Sequence, residues 1–180
     1  ISMIVDEDGL VIVDAGMSPD HAKTVLAEFR EISDLPIKGI ILTHGHGDHT
    51  GGAAVFANDG EQEPAIFARS PFNTEGKHFQ RGGVTINGLR GARQGGFRLP
   101  PEKRINNGIA PAVYPPEESN AFVGKPPVPT ETFQDGRRKI SVAGRDLELV
   151  AAPGETADQL YVWFPEERVV FTGDNFYRSW

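Results

Sequence analysis

Apolar positions along this chain fall into short runs whose spacing changes from one stretch to the next. Ile1–Val5 and Leu10–Asp14 are two β-rich runs. The Asp6-Glu7-Asp8-Gly9 segment between them reads as a hairpin turn in which Gly9 supplies a positive φ. Over Pro19–Ile32 the spacing becomes helical, with Val25, Leu26, Phe29 and Ile32 on one stripe, Ser18 placed to cap the first turn and Pro36 to stop the chain beyond it. Ile37–Leu42 is short, apolar and β-branched, the signature of a buried strand. A second helix is expected to start at Thr50–Phe56, and Pro64–Ala68 is again a short strand. Strand and helix thus alternate over the first 70 residues or so, which predicts an α/β layer fold rather than a β-sandwich.

Residues 71–136 break this rhythm. Gly82-Gly83, Gly95-Gly96, Pro100-Pro101, Pro115-Pro116 and Pro126-Pro127 leave little room for long regular elements. The stretch still carries Phe79, Phe97, Leu99, Ile105, Ile109, Val113, Tyr114, Phe122 and Val123, too many apolar residues for a solvated tether. An ordered, irregular insertion packed on the domain is expected, of the kind that serves as a binding loop. Four strands then return, at Lys139–Val142, Leu147–Val150, Leu160–Phe164 and Arg168–Phe171, with turns at Ala143-Gly144 and Pro165-Glu166. No internal repeat is evident.

Composition narrows the chemistry. With 18 Lys and Arg against 25 Asp and Glu, the formal charge of −7 argues against a nucleic-acid binder held by a basic face. No apolar run approaches the roughly 18 residues of a membrane span. The absence of cysteine excludes disulfides and thiolate metal sites, so any metal must be held by His, Asp or Glu, and the chain has five His. Three of them stand together. Behind the Ile37–Leu42 strand comes Thr43-His44-Gly45-His46-Gly47-Asp48-His49-Thr50-Gly51-Gly52, in which glycines let a turn close tightly around a point. Imidazole nitrogen and carboxylate oxygen suit zinc when thiolates are lacking, and iron or manganese accepts the same set. His44 and His46 can converge on one ion, and Asp48 and His49, one turn further on, can face a second. Two ions that close can share a hydroxide and clamp a hydrolysable group.

The His-x-His-x-Asp-His segment after a buried strand, with Val11-Ile12-Val13-Asp14-Ala15-Gly16 upstream, resembles the metallo-β-lactamase fold superfamily. The resemblance implies an α/β fold, an αβ/βα sandwich with a dinuclear metal site at one edge, spanning residues 1–180 as a catalytic domain with the insertion at about 71–136. Where that family places a His in a Pro-Gly-His-Thr turn, this chain has Pro153-Gly154-Glu155-Thr156; the family's later Gly-Asp is Gly173-Asp174. Both segments, Ala152–Asp158 and Phe171–Tyr177, are similar to the alkyl sulfatase branch, which uses Glu at the third ligand position. Carried over residue by residue, the resemblance implies that His44, His46 and Glu155 hold metal 1 and that Asp48 and His49 hold metal 2. Asp174 would bridge the two or bind metal 2. Asp48 would be the catalytic carboxylate, and Asp14 would steady the histidine turn through hydrogen bonds. Two zinc ions are expected.

The family closes metal 2 with a further His downstream of the Gly-Asp strand, whereas the remaining His21 and His78 lie upstream. The second site is therefore expected to be incomplete in this chain. Ile1 is not a start Met, no targeting stretch is seen, and the last strand-like run stops at Trp180, so a domain cut at both ends is expected. The alkyl sulfatase branch also carries a dimerisation domain and a lipid-carrier-like domain, which implies a homodimer for a longer parent protein.

Charge distribution suggests a substrate. Between Lys77 and Arg104 seven Lys and Arg face the single acid Glu102, a local net of +6 inside an acidic chain. Arg guanidinium forks match sulfate oxygens. Arg93, Arg98 and Asn107 are the candidates to hold an anionic ester, with Phe79, Phe97 and Phe122 lining a path for an alkyl chain. The reading is a metal-dependent hydrolase of sulfate esters, of alkyl sulfates in particular. The alternatives are another hydrolase of this fold, acting on a β-lactam, lactone or thioester, and a catalytically incomplete fragment that serves as a binding module. The partner expected is a small anionic ester, with no nucleic acid and no membrane span.

Overall fold

In the computed structural model, which describes residues 1–74 and 124–176 together with 80–81, 84–85, 99–100 and 103, adjacent side chains of the early strands serve two different cores. Strand β1 (Ser2–Asp6) forms an antiparallel hairpin with β2 (Gly9–Val13). Helix α1 (Pro19–Ile32) leads to β3 (Ile37–Ile41), and the short helices α2 (Gly47–Thr50) and α3 (Ala53–Ala57) lead to β4 (Ala65–Arg69). Strands β2, β3 and β4 run parallel. Their period of two sends Leu10, Ile12, Ile40, Leu42, Ile66 and Ala68 into a core shared with the helices. Val11, Val13, Ile41 and Phe67 enter a second core on the other side. Burial on both faces is why these strands read as continuous apolar runs rather than as alternation.

The helix layer forms as its residues dictate. The Ser18 hydroxyl accepts from His21 N at 3.3 Å, and Pro19 sits at the first helical position, where its missing N–H costs nothing. Ala22, Val25, Leu26 and Phe29 face the first core, with Phe29 and Phe56 in ring contact at 6.3 Å. Ile32, expected on the same stripe, is exposed at the last residue of the helix. The helix expected from Thr50 begins earlier, at Gly47, and is broken in two at Gly51-Gly52. The reason is close approach. A Cβ on Gly51 would sit 1.8 Å from Met17 O, and one on Gly52 2.2 Å from Ala15 O.

Strand β7 (Glu131–Phe133) closes the first sheet, pairing parallel with β4 to give the order β1-β2-β3-β4-β7. It lies inside the stretch read as an irregular insertion. Three residues are too few to show a period, and the strand is placed by its partner, through Thr130 N to Ile66 O and Ile66 N to Thr130 Oγ1, each 2.9 Å. The second sheet is an antiparallel meander of β8 (Arg137–Val142), β9 (Arg145–Ala151), β10 (Leu160–Phe164) and β11 (Val169–Phe171). Its inward residues Val142, Leu147, Leu149, Leu160, Val162 and Phe164 complete the second core.

These elements, Ile1–Asn73 with Val123–Trp180, make one unit; Thr74–Phe122 makes another, whose described part includes a hairpin of β5 (Gln80–Arg81) and β6 (Val84–Thr85). In the larger unit the parallel strands deliver their C-terminal ends to one edge. The ends of β9 and β11, both antiparallel to β10, arrive there too, tied in by Leu160 N to Thr43 O at 2.9 Å. At the opposite edge Arg145 bonds Asp6 and Glu167, joining three hairpin turns and so both sheets. Arg93, Arg98, Asn107 and His78 lie outside the described residues.

The two-core arrangement predicts a large penalty for emptying the space between the sheets. Leu149→Ala, at a fully buried position, should lower stability by about 3 kcal/mol. Val128→Ala, at a highly exposed one, should change it by less than about 0.5 kcal/mol. Urea unfolding of both variants checks the contrast.

Candidate metal centre

The edge where the strands end gathers the histidine turn. His44 follows β3 and is fully buried, His46 caps α2 in extended conformation, and Asp48 and His49 lie on that helix. The three imidazoles are in contact, with His44 4.7 Å from His46 and 4.2 Å from His49 between ring centroids. Glu155 comes from the turn after β9, and Asp174 from a 3₁₀ turn (Gly173–Asn175) after β11. Two sets of donors result: His44, His46 and Glu155, and His44, His49 and Asp174, each with its ligand atoms within 4.8 Å of one another. Glu155 Oε2 lies 3.8 Å from His44 Nε2 and 3.7 Å from His46 Nδ1. His49 Nε2 lies 3.3 Å from Asp174 Oδ1 and 3.8 Å from Asp48 Oδ2. Asp48 therefore stands beside the second set rather than within it, half exposed at the mouth.

Hydrogen bonds decide which imidazole nitrogen faces inward. Asp14 follows β2 with φ at 58°, a left-handed conformation that aspartate tolerates better than most residues. Its carboxylate accepts from Thr43 N at 2.9 Å, from the Thr43 hydroxyl at 3.0 Å and from His49 Nδ1–H at 2.8 Å. The single hydroxyl proton of Thr43 is thereby used, so His44 Nδ1, 3.1 Å away, donates to Thr43 Oγ1. His44 is left with Nε2 as its bare nitrogen, and on His49 Nε2 is the position that can give up a proton to a metal. His44 Nε2 is buried and has no hydrogen-bond partner among the described residues, a costly state unless a cation takes up its lone pair. That orphaned nitrogen, amid imidazoles and carboxylates with no thiolate, fits a divalent metal.

The electrostatics separate the two histidines. Burial lowers the pKa of His44, and the neighbouring His49 and His46 lower it further, so it is neutral and ready to ligate. Burial acts on His49 in the same sense, but the bond to Asp14 and the charges of Asp14, Asp174 and Asp48 outweigh it and push the imidazole up to about 9. A metal entering beside His49 has to displace that proton.

Residues not singled out by sequence reasoning complete the frame. Thr43 is one. Asp158, in the turn that bears Glu155, is another: it is buried, accepting from Thr156 Oγ1 at 2.6 Å and from Asn73 N at 2.7 Å. Their sequence signal is only proximity to the motifs.

A family model for the metallo-beta-lactamase superfamily matches residues 1–179, and the chain belongs to that superfamily. Among curated proteins it is 32% identical to a linear primary-alkylsulfatase from Pseudomonas sp., over 96% of this chain and 32% of that protein. It is also 23% identical to an (R)-specific secondary-alkylsulfatase from Pseudomonas sp., over 97% of this chain and 27% of that protein. The chain thus spans about a third or less of these relatives. Among solved structures, a stereoselective inverting sec-alkylsulfatase from Pseudomonas sp. superposes with a TM-score of 0.65 at 21% identity, over 96% of this chain and 27% of that one. A metallo-beta-lactamase family protein from Thermus thermophilus gives 0.63 at 22% identity, over 99% of this chain and 55% of that one. These likenesses agree with the fold expected from the sequence and with its alkyl sulfatase branch.

The raised pKa of His49 carries a pH signature in the metal-free protein. With the folded value near 9 and the unfolded one near 6.5, the contribution is complete below pH 6.5 and is lost as pH rises through 9. Chelator-treated protein should lose about 3 kcal/mol of stability between pH 6.5 and 9.5 that His49→Gln does not lose. Parallel urea titrations at the two pH values test this; equal losses in both proteins would contradict it.

Proposed function

We propose that the chain is the metal-binding part of a hydrolase that cleaves sulfate esters, with alkyl sulfates as the substrate class. The observation that carries the reading is the pair of donor sets meeting at His44, one of them completed by the carboxylate of Glu155. The alkylsulfatase names of its relatives support the substrate class, and the Glu at position 155 agrees with the resemblance of its turn to the alkyl sulfatase branch.

On this reading His44, His46 and Glu155 hold one ion. His49, Asp174 and the adjacent Asp48 would serve a second. Zinc, or a similar divalent ion accepting nitrogen and oxygen donors, would supply a water acidified towards neutral pH and a positive centre for the ester oxygens. The protein's own contribution is orientation. Thr43 and Asp14 hold the Nε2 atoms of His44 and His49 toward the site, that of His44 already unprotonated. Asp48, whose side chain is 52% exposed, is the carboxylate of this group with most access to solvent. It is placed to orient a water and to take up its proton, which makes it the catalytic residue of the proposal. Arg93, Arg98 and Asn107 remain the candidates for holding the sulfate group.

The substrate class is tested by assaying zinc-loaded protein on dodecyl sulfate, nitrocefin and a lactoyl thioester. Release of sulfate from dodecyl sulfate alone is expected; turnover of nitrocefin alone would replace the proposal by the lactamase reading. His46→Ala and Asp48→Ala should each lower sulfate release by at least about 100-fold, since each removes a group acting at the reacting centre. Their far-ultraviolet circular dichroism should stay that of the parent, because neither side chain belongs to a core. A variant that keeps parental activity would refute the assigned site.

A further inference from the structure

We propose that Asp158 is the positioning residue that sets the Glu155 carboxylate against His44 and His46. The proposal rests on the reading that those three residues hold a metal. Glu155 is partly exposed and stands on an irregular turn, whereas the imidazoles it faces come from a different sheet. Something must fix the distance between the two turns, and the buried groups between them do so.

Asp158 is 2% exposed, and its two oxygens are engaged in different directions. Oδ1 accepts from the hydroxyl of Thr156, the residue next to Glu155, at 2.6 Å. Oδ2 accepts from the backbone N–H of Asn73, which is 85 residues away in sequence. Gly45, between the two histidine ligands, packs directly on this second bond. A Cβ there would come within 2.8 Å of Asp158 Oδ2 and 2.6 Å of Asn73 Cα. A carboxylate serving only its own turn would engage both oxygens locally. Asp158 instead touches the Glu155 turn on one side and the His44-Gly45-His46 turn on the other.

Buried Arg69 supports the same turn from below. Its guanidinium donates to the Ala157 carbonyl, to Gln134 O at 2.6 Å and to Asp135 Oδ1 at 2.8 Å. Asn175 closes it from above, donating to Ala152 O at 2.8 Å. With both ends held, and with Leu160 N bonded to Thr43 O further along, the hydrogen-bond pair on Asp158 is the side-chain link that refers the Glu155 turn to the loop between His44 and His46. Asparagine at 158 keeps the shape but loses the charge and turns one acceptor into a donor, so the Thr156 hydroxyl has to reverse from donor to acceptor and both bonds lose their charge assistance.

Zinc binding reads this directly, independently of turnover. The dissociation constant of the full chain for Zn²⁺ is measured by competition with a chromophoric chelator, and Co²⁺ absorption reports the geometry of the donors. Asp158→Asn should weaken the first zinc by about 10- to 100-fold and shift the Co²⁺ bands. In a Glu155→Ala background the same substitution should have no further effect, because the residue acts through Glu155. A loss of equal size in both backgrounds would make Asp158 a general support of the fold and overturn the proposal. Parental affinity in Asp158→Asn, with weakened binding in Glu155→Ala, would overturn it while leaving the metal site standing. Unchanged affinity in Glu155→Ala alone would remove the metal reading and the proposal with it. If Asp158→Asn does not fold, Thr156→Val, which deletes one of the two bonds, carries the same cycle. A weakening of about 3- to 10-fold that vanishes without Glu155 is then expected, and parental binding would overturn the proposal.

Discussion

The carboxylate of Asp14 is the interaction on which the metal centre turns. One side chain accepts from the backbone of Thr43, from its hydroxyl and from His49. It thereby links the end of β2, the end of β3 and helix α2. Through Thr43 its influence reaches His44, so two of the three imidazoles of the site take their tautomer from one negative charge. Such a charge, half-buried beside a histidine, holds a proton there until a stronger cation displaces it. The centre is thus arranged around competition between a proton and a cation at His49.

The remaining architecture keeps this edge open and rigid at once. Parallel strands bring loop after loop to the same end of a sheet, which is why ligand sites in open α/β layers form at the carboxyl ends of strands. The second sheet, packed on the first through Val11, Ile41, Leu147 and Val162, brings two carboxylates to that same end. The centre is therefore built from both layers. A shift of one sheet over the other would separate Glu155 and Asp174 from the histidines, so the close-packed inter-sheet core is as much a part of the site as its ligands.

Much of this was legible in residue order, for identifiable reasons. The runs at β2 and β3 are apolar, but for Lys38, because both faces are covered, and the His-x-His-x-Asp-His cluster is local, so its four side chains are neighbours before the chain folds. Glu155 and Asp174 are far away in sequence; only the resemblance joined them to the cluster. The break at Gly51-Gly52 was not legible, since it is imposed by carbonyls of Ala15 and Met17 that pattern analysis does not see. Nor was β7, whose three residues are held by pairing with β4. Thr43 and Asp158 were missed because the roles of these polar residues come from partners brought close by tertiary structure.

The bonds at Asn73 and Gly124 bear on the segment between them. Asn73 is held on Asp158, and Gly124 donates to Met17 O at 2.9 Å while lying against the backbone of Gly51. Both attachment points thus belong to the frame of the metal turn. Loop-closure entropy grows only logarithmically with length, about 0.6 kcal/mol for a doubling. A change of length between Asn73 and Gly124 accordingly adds little closure cost, while the two anchors stay on the frame of the donor atoms. Variation between the anchors and upkeep of the donor set are then separable heritable traits, one free to drift as the other is held.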